Sequence, residues 1–150
     1  MATWSGGQRL SAGRLTDVSK ITTLDDRNSV PSSYASWGSD LTFDNPGVDV
    51  AVMAWLAGRA YKESGSTKGT LMYRIEISTD NGSNWSEGTE QWITVEPSGV
   101  SGSDQKSVTA LHRAQALPSG TIRVRARVSS AGSTAIALRS GQLMAQVVAL

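Results

Sequence analysis

From Phe43 to the C-terminus, apolar and polar positions alternate in short segments divided by clusters of Gly, Ser, Asn, Asp and Pro. A period of two residues is that of a strand with one buried face, and the clusters are turn formers, so the pattern predicts strands joined by turns. Leu71, Tyr73, Ile75 and Ile77 share one face against Met72, Arg74, Glu76 and Ser78. Ile122, Val124, Ala126 and Val128 do the same against Arg123, Arg125 and Arg127. Leu143, Ala145, Val147 and Ala149 alternate with Met144, Gln146 and Val148, which leaves that segment two apolar faces. Residues 48–61 begin with alternation and become almost wholly apolar through Met53, Ala54, Trp55, Leu56 and Ala57, the pattern of a strand in the middle of a sheet. Weaker strands are expected at 40–43, 91–96, 106–116 and 134–138. Turns are expected at Asp44-Asn45-Pro46-Gly47, Pro97-Ser98-Gly99 and Pro118-Ser119-Gly120.

About seven or eight strands in a chain of 150 residues predict an all-β fold, a β-sandwich of jelly-roll or Greek-key type. Residues 1–37 lack the alternation: 10–15 suits one short helical turn, and the rest is rich in Ser, Thr and Asp. The expectation is a largely irregular N-terminal docking arm over 1–37 and a sandwich domain over 38–150. Such an arm buries little of itself and is ordered best against a neighbour.

Hydrophobic residues make up 39% and charged residues 18%, a globular balance. Fourteen Lys and Arg against 13 Asp and Glu leave a formal charge of +1, too small a field to gather nucleic acid or anionic lipid. No apolar run approaches the roughly 18 residues that span a bilayer. Residues 1–10 are polar where a secretory signal is hydrophobic, so a soluble chain made in the cytoplasm is expected. Cysteine is absent, which excludes thiol catalysis, disulfides and Cys-ligated zinc. His112, the one histidine, stands in a predicted strand beside Arg113 without a Gly-x-Ser-x-Gly elbow, and offers neither a triad base nor a metal site. Asp25 with Asp26, and Glu87 with Glu90, lie in polar segments with no apolar pocket to raise a pKa. Ser64-Gly65-Ser66-Thr67-Lys68-Gly69-Thr70 lacks the residue order of a phosphate loop and reads as a tip between strands. No catalytic residue, metal or cofactor is predicted.

Ser78-Thr79-Asp80-Asn81-Gly82-Ser83-Asn84-Trp85 resembles the Asp-box of sialidases and other β proteins, Ser-x-Asp-x-Gly-x-(Ser/Thr)-Trp, departing from it at Asn84. The resemblance implies a fixed hairpin turn held by Ser78, Asp80, Gly82 and Trp85. One copy builds no propeller, and a glycosidase is not expected. Asp80, Asn84 and Glu87 do not fall at the offsets of a calcium loop. Arg123, Arg125 and Arg127 place three like charges on one strand face, which calls for a counter-charge: Glu76 or Glu96 across the sheet, a subunit interface, or a phosphate or sugar acid. Of five Trp, Trp55 and Trp85 are assigned to core and turn. Trp4, Trp37 and Trp92 stand near polar sequence as anchors for a protein partner or contacts for a sugar, with Trp37 and Trp92 the candidate ligand contacts.

The opening Trp4-Ser5-Gly6-Gly7-Gln8-Arg9-Leu10-Ser11-Ala12-Gly13-Arg14-Leu15 is similar to the leader Trp-x-x-Gly-x-x-Leu-(Ser/Thr)-Ala-x-x-Leu of many small structural proteins of tailed phages. It implies a segment that joins a β module to a virion, with Trp4, Leu10 and Leu15 as docking residues. Three C-terminal stretches, 112–116, 120–128 and 141–148, resemble the closing strands of tumour-necrosis-factor-like jelly rolls. That likeness implies a homotrimer, with Met144 and Val148 on the outer face of the last strand, and the arginine stripe, as candidate subunit contacts. The sequence reading is therefore a non-enzymatic virion protein of capsid-decoration or tail-appendage type. Its partners would be its own copies and the major capsid protein or tail proteins, and loops 62–69 and 79–90 would face solvent. The alternative is a carbohydrate-binding or host-adhesion module.

Overall fold

The computed structural model describes residues 18–62, 68–96, 105–131 and 136–150. These form ten strand segments and, among the described residues, no helix. One sheet is built from β1 (Val18–Leu24), β4 (Val50–Lys62), β8 (Lys106–Ala116) and β10 (Ile136–Ala149), in the order β1-β10-β4-β8. The other has β9 (Ile122–Ala131) and β5 (Gly69–Ser78) at its centre. There β2 (Ala35–Ser36) and β3 (Leu41–Phe43) pair with β9, while β6 (Ser86–Glu87) and β7 (Gln91–Val95) pair with β5. Every pairing is antiparallel. With β2 and β3 counted as one interrupted strand, and β6 and β7 as another, eight strands remain in the orders 1-8-3-6 and 2-7-4-5. Each connection but the hairpin after β5 crosses from one sheet to the other, and the fold is an all-β jelly-roll sandwich.

The inward faces are those that the alternation marks. Leu71, Tyr73, Ile75 and Ile77 of β5, and Ile122, Val124, Ala126 and Val128 of β9, are buried against Val50, Val52, Ala54 and Leu56 of β4 and Leu143, Ala145 and Val147 of β10. Trp37 is also buried in this layer, beside the end of β1, with its Nε1–H donating to the Asp25 carbonyl at 2.8 Å. Gly58 on β4 and Gly141 on β10 make room for the indole: a Cβ on either would stand within 2.5 Å of its ring carbons. Trp37 is therefore a core residue and not the ligand contact expected from its polar neighbours.

The boundary expected after Trp37 is also corrected. All seven residues of β1 pair with β10, from Val18 with Val147 to Leu24 with Gly141. From there residues 25–34 cross to the second sheet, tied by Arg27 N–H to the Leu138 carbonyl and Val30 N–H to the Ile136 carbonyl. The alternation fails to mark β1 because it is an edge strand whose inward positions include Lys20 and Thr22. Lys20 lays its stem across the sandwich margin, with Nζ 5.1 Å from the centre of the Phe43 ring and 2.6 Å from the Thr42 carbonyl. A charge turned inward at an edge also discourages pairing with a further strand.

The strands expected at 134–138 and from Leu143 onward are one strand, β10, with a break in register between Arg139 and Gln142, where Ser140 takes a positive φ of 52°. The Arg139 guanidinium donates from there to the Arg27 carbonyl and to Asn28 Oδ1, both at 2.6 Å, and holds the crossover down.

The two ends of the sandwich differ. Val18, Val50, Ser78, Arg123 and the last residues of β10 lie at one end, where neighbouring loops are stitched together. Asn81 N–H donates to the Thr121 carbonyl (2.9 Å), Ser119 N–H to Thr79 (3.0 Å), Asn45 Nδ2 to Pro118 (2.9 Å) and Leu150 N–H to Asp49 (2.9 Å). The strand ends flanking residues 63–67, 97–104 and 132–135 lie at the other end. Loop 79–85 and the flanks of loop 63–67 thus stand at opposite ends. The turn expected at Pro97-Ser98-Gly99 and most of the tip at 64–70 fall outside the described residues, as do Trp4, Leu10 and Leu15.

Candidate functional site

The turn that follows β5 is organised by two side chains. Asp80 accepts from the Asn84 backbone N–H (2.8 Å), Asn84 Nδ2 (2.7 Å) and the Ser78 hydroxyl (2.7 Å). Ser78 Oγ in turn accepts from the Gly82 N–H at 2.8 Å. Asn81 and Gly82 both take positive φ, 58° and 89°, which Asn tolerates and Gly adopts freely. Asn84, where the Asp-box has Ser or Thr, supplies a side-chain donor to the same carboxylate. Those donors, led by the two from Asn84, hold the Asp80 carboxyl down at about 2. Trp85 returns its indole N–H to the Gly82 carbonyl at 3.0 Å. Its ring carries the Arg125 guanidinium at 3.6 Å from the centre. Beyond the turn, an open groove of about 420 Å³ runs between Asp80, Asn84 and Trp85 on one side and Arg113 to Ala116 of β8 on the other.

The arginine stripe is met within the chain. Glu76, only 2% exposed, lies 2.7 Å from both Arg74 and Arg125 and 4.0 Å from Arg127. Arg127 also donates to the Tyr34 carbonyl at 2.9 Å, and Arg123 pairs with Asp40 at 2.9 Å. Glu96 faces Lys68 instead, at 3.0 Å. Arg74 reaches Glu87 at 2.7 Å and lies over the Tyr34 ring, 4.5 Å from its centre. The Tyr34 hydroxyl donates to Glu90, and burial together with that bond raises the phenol pKa. Trp92 is 65% exposed at the margin of this network, with its Nε1–H on Glu90 at 2.5 Å.

The carboxylate pairs are bound up in structure. Asp26 accepts from the Ser140 N–H at 3.2 Å and stands 3.7 Å from Arg139, while Glu87 and Glu90 hold Arg74, Tyr34 and Trp92. His112 turns inward toward Ser86, its Nε2 3.1 Å from both the hydroxyl and the carbonyl, and burial lowers its pKa. Among the described residues no group of three or more His, Asp or Glu side chains is placed to hold a metal ion.

The outer face of the first sheet is of another kind. Register aligns Ile21, Met144, Trp55 and Leu111 in one row across all four strands. Ile21 is 58%, Met144 43% and Leu111 64% exposed, with Trp55 half-buried. The assignment of Trp55 to the core is thereby corrected. The flanking rows are Ser19, Gln146, Met53 and Arg113 on one side, and Thr23, Gln142, Ala57 and Thr109 on the other. Val148, Ala51 and Gln115 form the next row, so Arg113 is the one charge in these four rows. Ser19, Ile21, Trp55, Met144 and Gln146 line a hollow of about 290 Å³ on this face. Ile21 and Leu111 are the residues of this row that the sequence reading passed over, Ile21 on a strand without a period and Leu111 on one that has it. The available signal was phase: Val108, Ala110, His112 and Ala114 share the inward face of β8, and Leu111 is an apolar residue on the opposite one.

A scan against protein-family models finds no match, and no curated protein matches the chain. Among solved structures, the chain is similar to a structure of the Gx strain of infectious bursal disease virus, with 11% identity and a TM-score of 0.42, over 97% of this chain and 36% of that one. A structure of the Gt strain of the same virus gives 10% identity and a TM-score of 0.41, over 99% and 38%. The chain thus spans little more than a third of the length of those solved chains, and a likeness of this size assigns no role.

Proposed function

We propose that this chain is a non-enzymatic structural protein of a virion, a capsid-decoration or tail-appendage module fixed by its N-terminal segment with the jelly roll exposed. The observation that carries the reading is the position of Val18. The leader-like sequence runs directly into β1, whose seven residues are all paired with β10. A grip taken by Trp4, Leu10 and Leu15 on a capsid or tail protein is therefore transmitted to the sandwich at one end. Loop 79–85 stands at that same end, and its hydrogen bonds to the 117–121 loop suit a surface held close to a support. The opposite end, beyond Lys62, Val95 and Ala131, points away. In this reading the chain acts as copies of itself, a homotrimer, and requires no cofactor.

The test is cosedimentation of the purified chain with virions grown without it. The wild-type chain is expected to travel with the particles, and Leu10→Asp, folded to the same degree by circular dichroism, is expected to stay in solution. Failure of the wild-type chain to bind, or equal binding by the variant, contradicts the reading. The exposed indole of Trp92 favours adhesion to a host sugar as the second reading. Binding of a defined glycan that Trp92→Ala abolishes, with the fold intact, would give it the lead.

A further inference from the structure

We propose that the outer face of the first sheet is a contact between copies of this chain, in which Leu111 of one copy seats in the hollow between Ile21, Trp55 and Met144 of the next. The inference deepens the homotrimer expectation by naming the face and the residues, and it stands on geometry independent of the virion reading.

The outer faces of the two sheets differ in how their charge is met. Three arginines on the second sheet meet Glu76 or Asp40 inside the chain, so most of the charge on that face is paired within it. On the first sheet the four rows from Val148 to Thr23 carry no such lattice among the described residues, and charge gathers in the next row, with Arg139 and Arg59. The sheet's centre is a row of four large apolar side chains at cross-strand spacing, in a chain where most other large apolar residues are buried. Contiguous exposed apolar surface on a soluble domain marks a surface that is covered in the working state.

Charge decides what covers it. A partner of different sequence is commonly selected by complementary charges, whereas a contact between copies must avoid bringing one charge against its own kind. Four rows of this face hold one charged side chain, Arg113, at the β8 margin. Shape agrees. Leu111 protrudes from β8, and the hollow lies across β1, β10 and β4 on the same row, so knob and socket sit on opposite sides of one face. Copies set around a symmetry axis bring the knob of each against the socket of another. On size, the four rows, across strands about 4.8 Å apart and over about eight residues of their length, present about 500 Å², the larger part of the roughly 800 Å² that each partner gives to a stable protein interface.

The experiment is the solution mass of the full chain by sedimentation, for the wild type, Leu111→Lys and Met144→Lys. Both substituted residues are largely exposed within one chain, so the fold is expected to survive, with circular dichroism as the check. The wild type is expected to sediment as an assembly of copies and both variants as single chains, while Trp92→Ala on the other sheet assembles like the wild type. A wild type that sediments as a single chain overturns the proposal, whatever else covers the face. So does an assembly that persists unchanged in both lysine variants, since the copies then meet elsewhere. Virion binding without self-assembly would leave the attachment to the virion standing and remove this inference together with the homotrimer.

Discussion

Asp80 shows how one carboxylate organises a loop from the surface. It accepts three short hydrogen bonds from residues two and four positions away, and its pKa lies at about 2, against 3.8 for an unperturbed aspartate. Because the folded-state value is the lower one, the unfolded chain binds the proton more readily, and the stabilisation from these bonds is complete above about pH 4. It is lost as pH falls toward 2. The thermal midpoints of the wild type and Asp80→Asn are therefore expected to differ at neutral pH and to converge between about pH 4 and pH 2. A gap that stays constant over that window would mean that the carboxylate charge does not hold the turn. Glu76 acts on the same scale from a buried position, where one carboxylate meets Arg74 and Arg125 closely and Arg127 at 4.0 Å.

At the scale of elements, the fit of Trp37 between β4 and β10 sets the thickness of one part of the sandwich. Adding a methyl at Gly141 drives a Cβ to 2.4 Å from the indole and 2.8 Å from Leu24 Cβ, with both neighbours fixed by packing. Gly141→Ala is expected to cost about 2 kcal/mol in denaturant unfolding, the usual scale of overpacking in a close-packed core. An unchanged midpoint would show that the indole has room to move. These same elements show what the sequence made legible. β5 and β9, flanked on both sides, alternate cleanly because ladder partners and the opposite sheet constrain every inward position, whereas β4, equally central, is apolar on both faces. β1, paired on one side only, tolerates Lys20 and Thr22 on its inner face and so carries no clear period. Trp37 read as exposed because Ser36, Gly38 and Ser39 surround it in sequence. Its burial depends on Gly58 and Gly141, which are far away along the chain. The turn at 78–85 was legible because its bonds are local. The row Ile21, Met144, Trp55 and Leu111 was not, since it exists only in the cross-strand register.

On the scale of the molecule, the jelly roll has two unlike faces and two unlike ends. The outer face of the second sheet carries its charges in ion pairs within one chain, and the largely apolar rows of the first are left for another copy. The end that bears Val18 has its loops bound to one another beside the N-terminal segment. This division of labour suits a module fixed at one end and packed against its neighbours along one side. Methionine oxidation by peroxide, read by mass spectrometry on the wild type and on Leu111→Lys, tests the division most directly, because Met144 and Met53 lie on the first face and Met72 on the second. The account predicts that Met144 and Met53 oxidise more slowly in the wild type than in the variant, with Met72 alike in both. Equal rates at Met144 in the two proteins would contradict it.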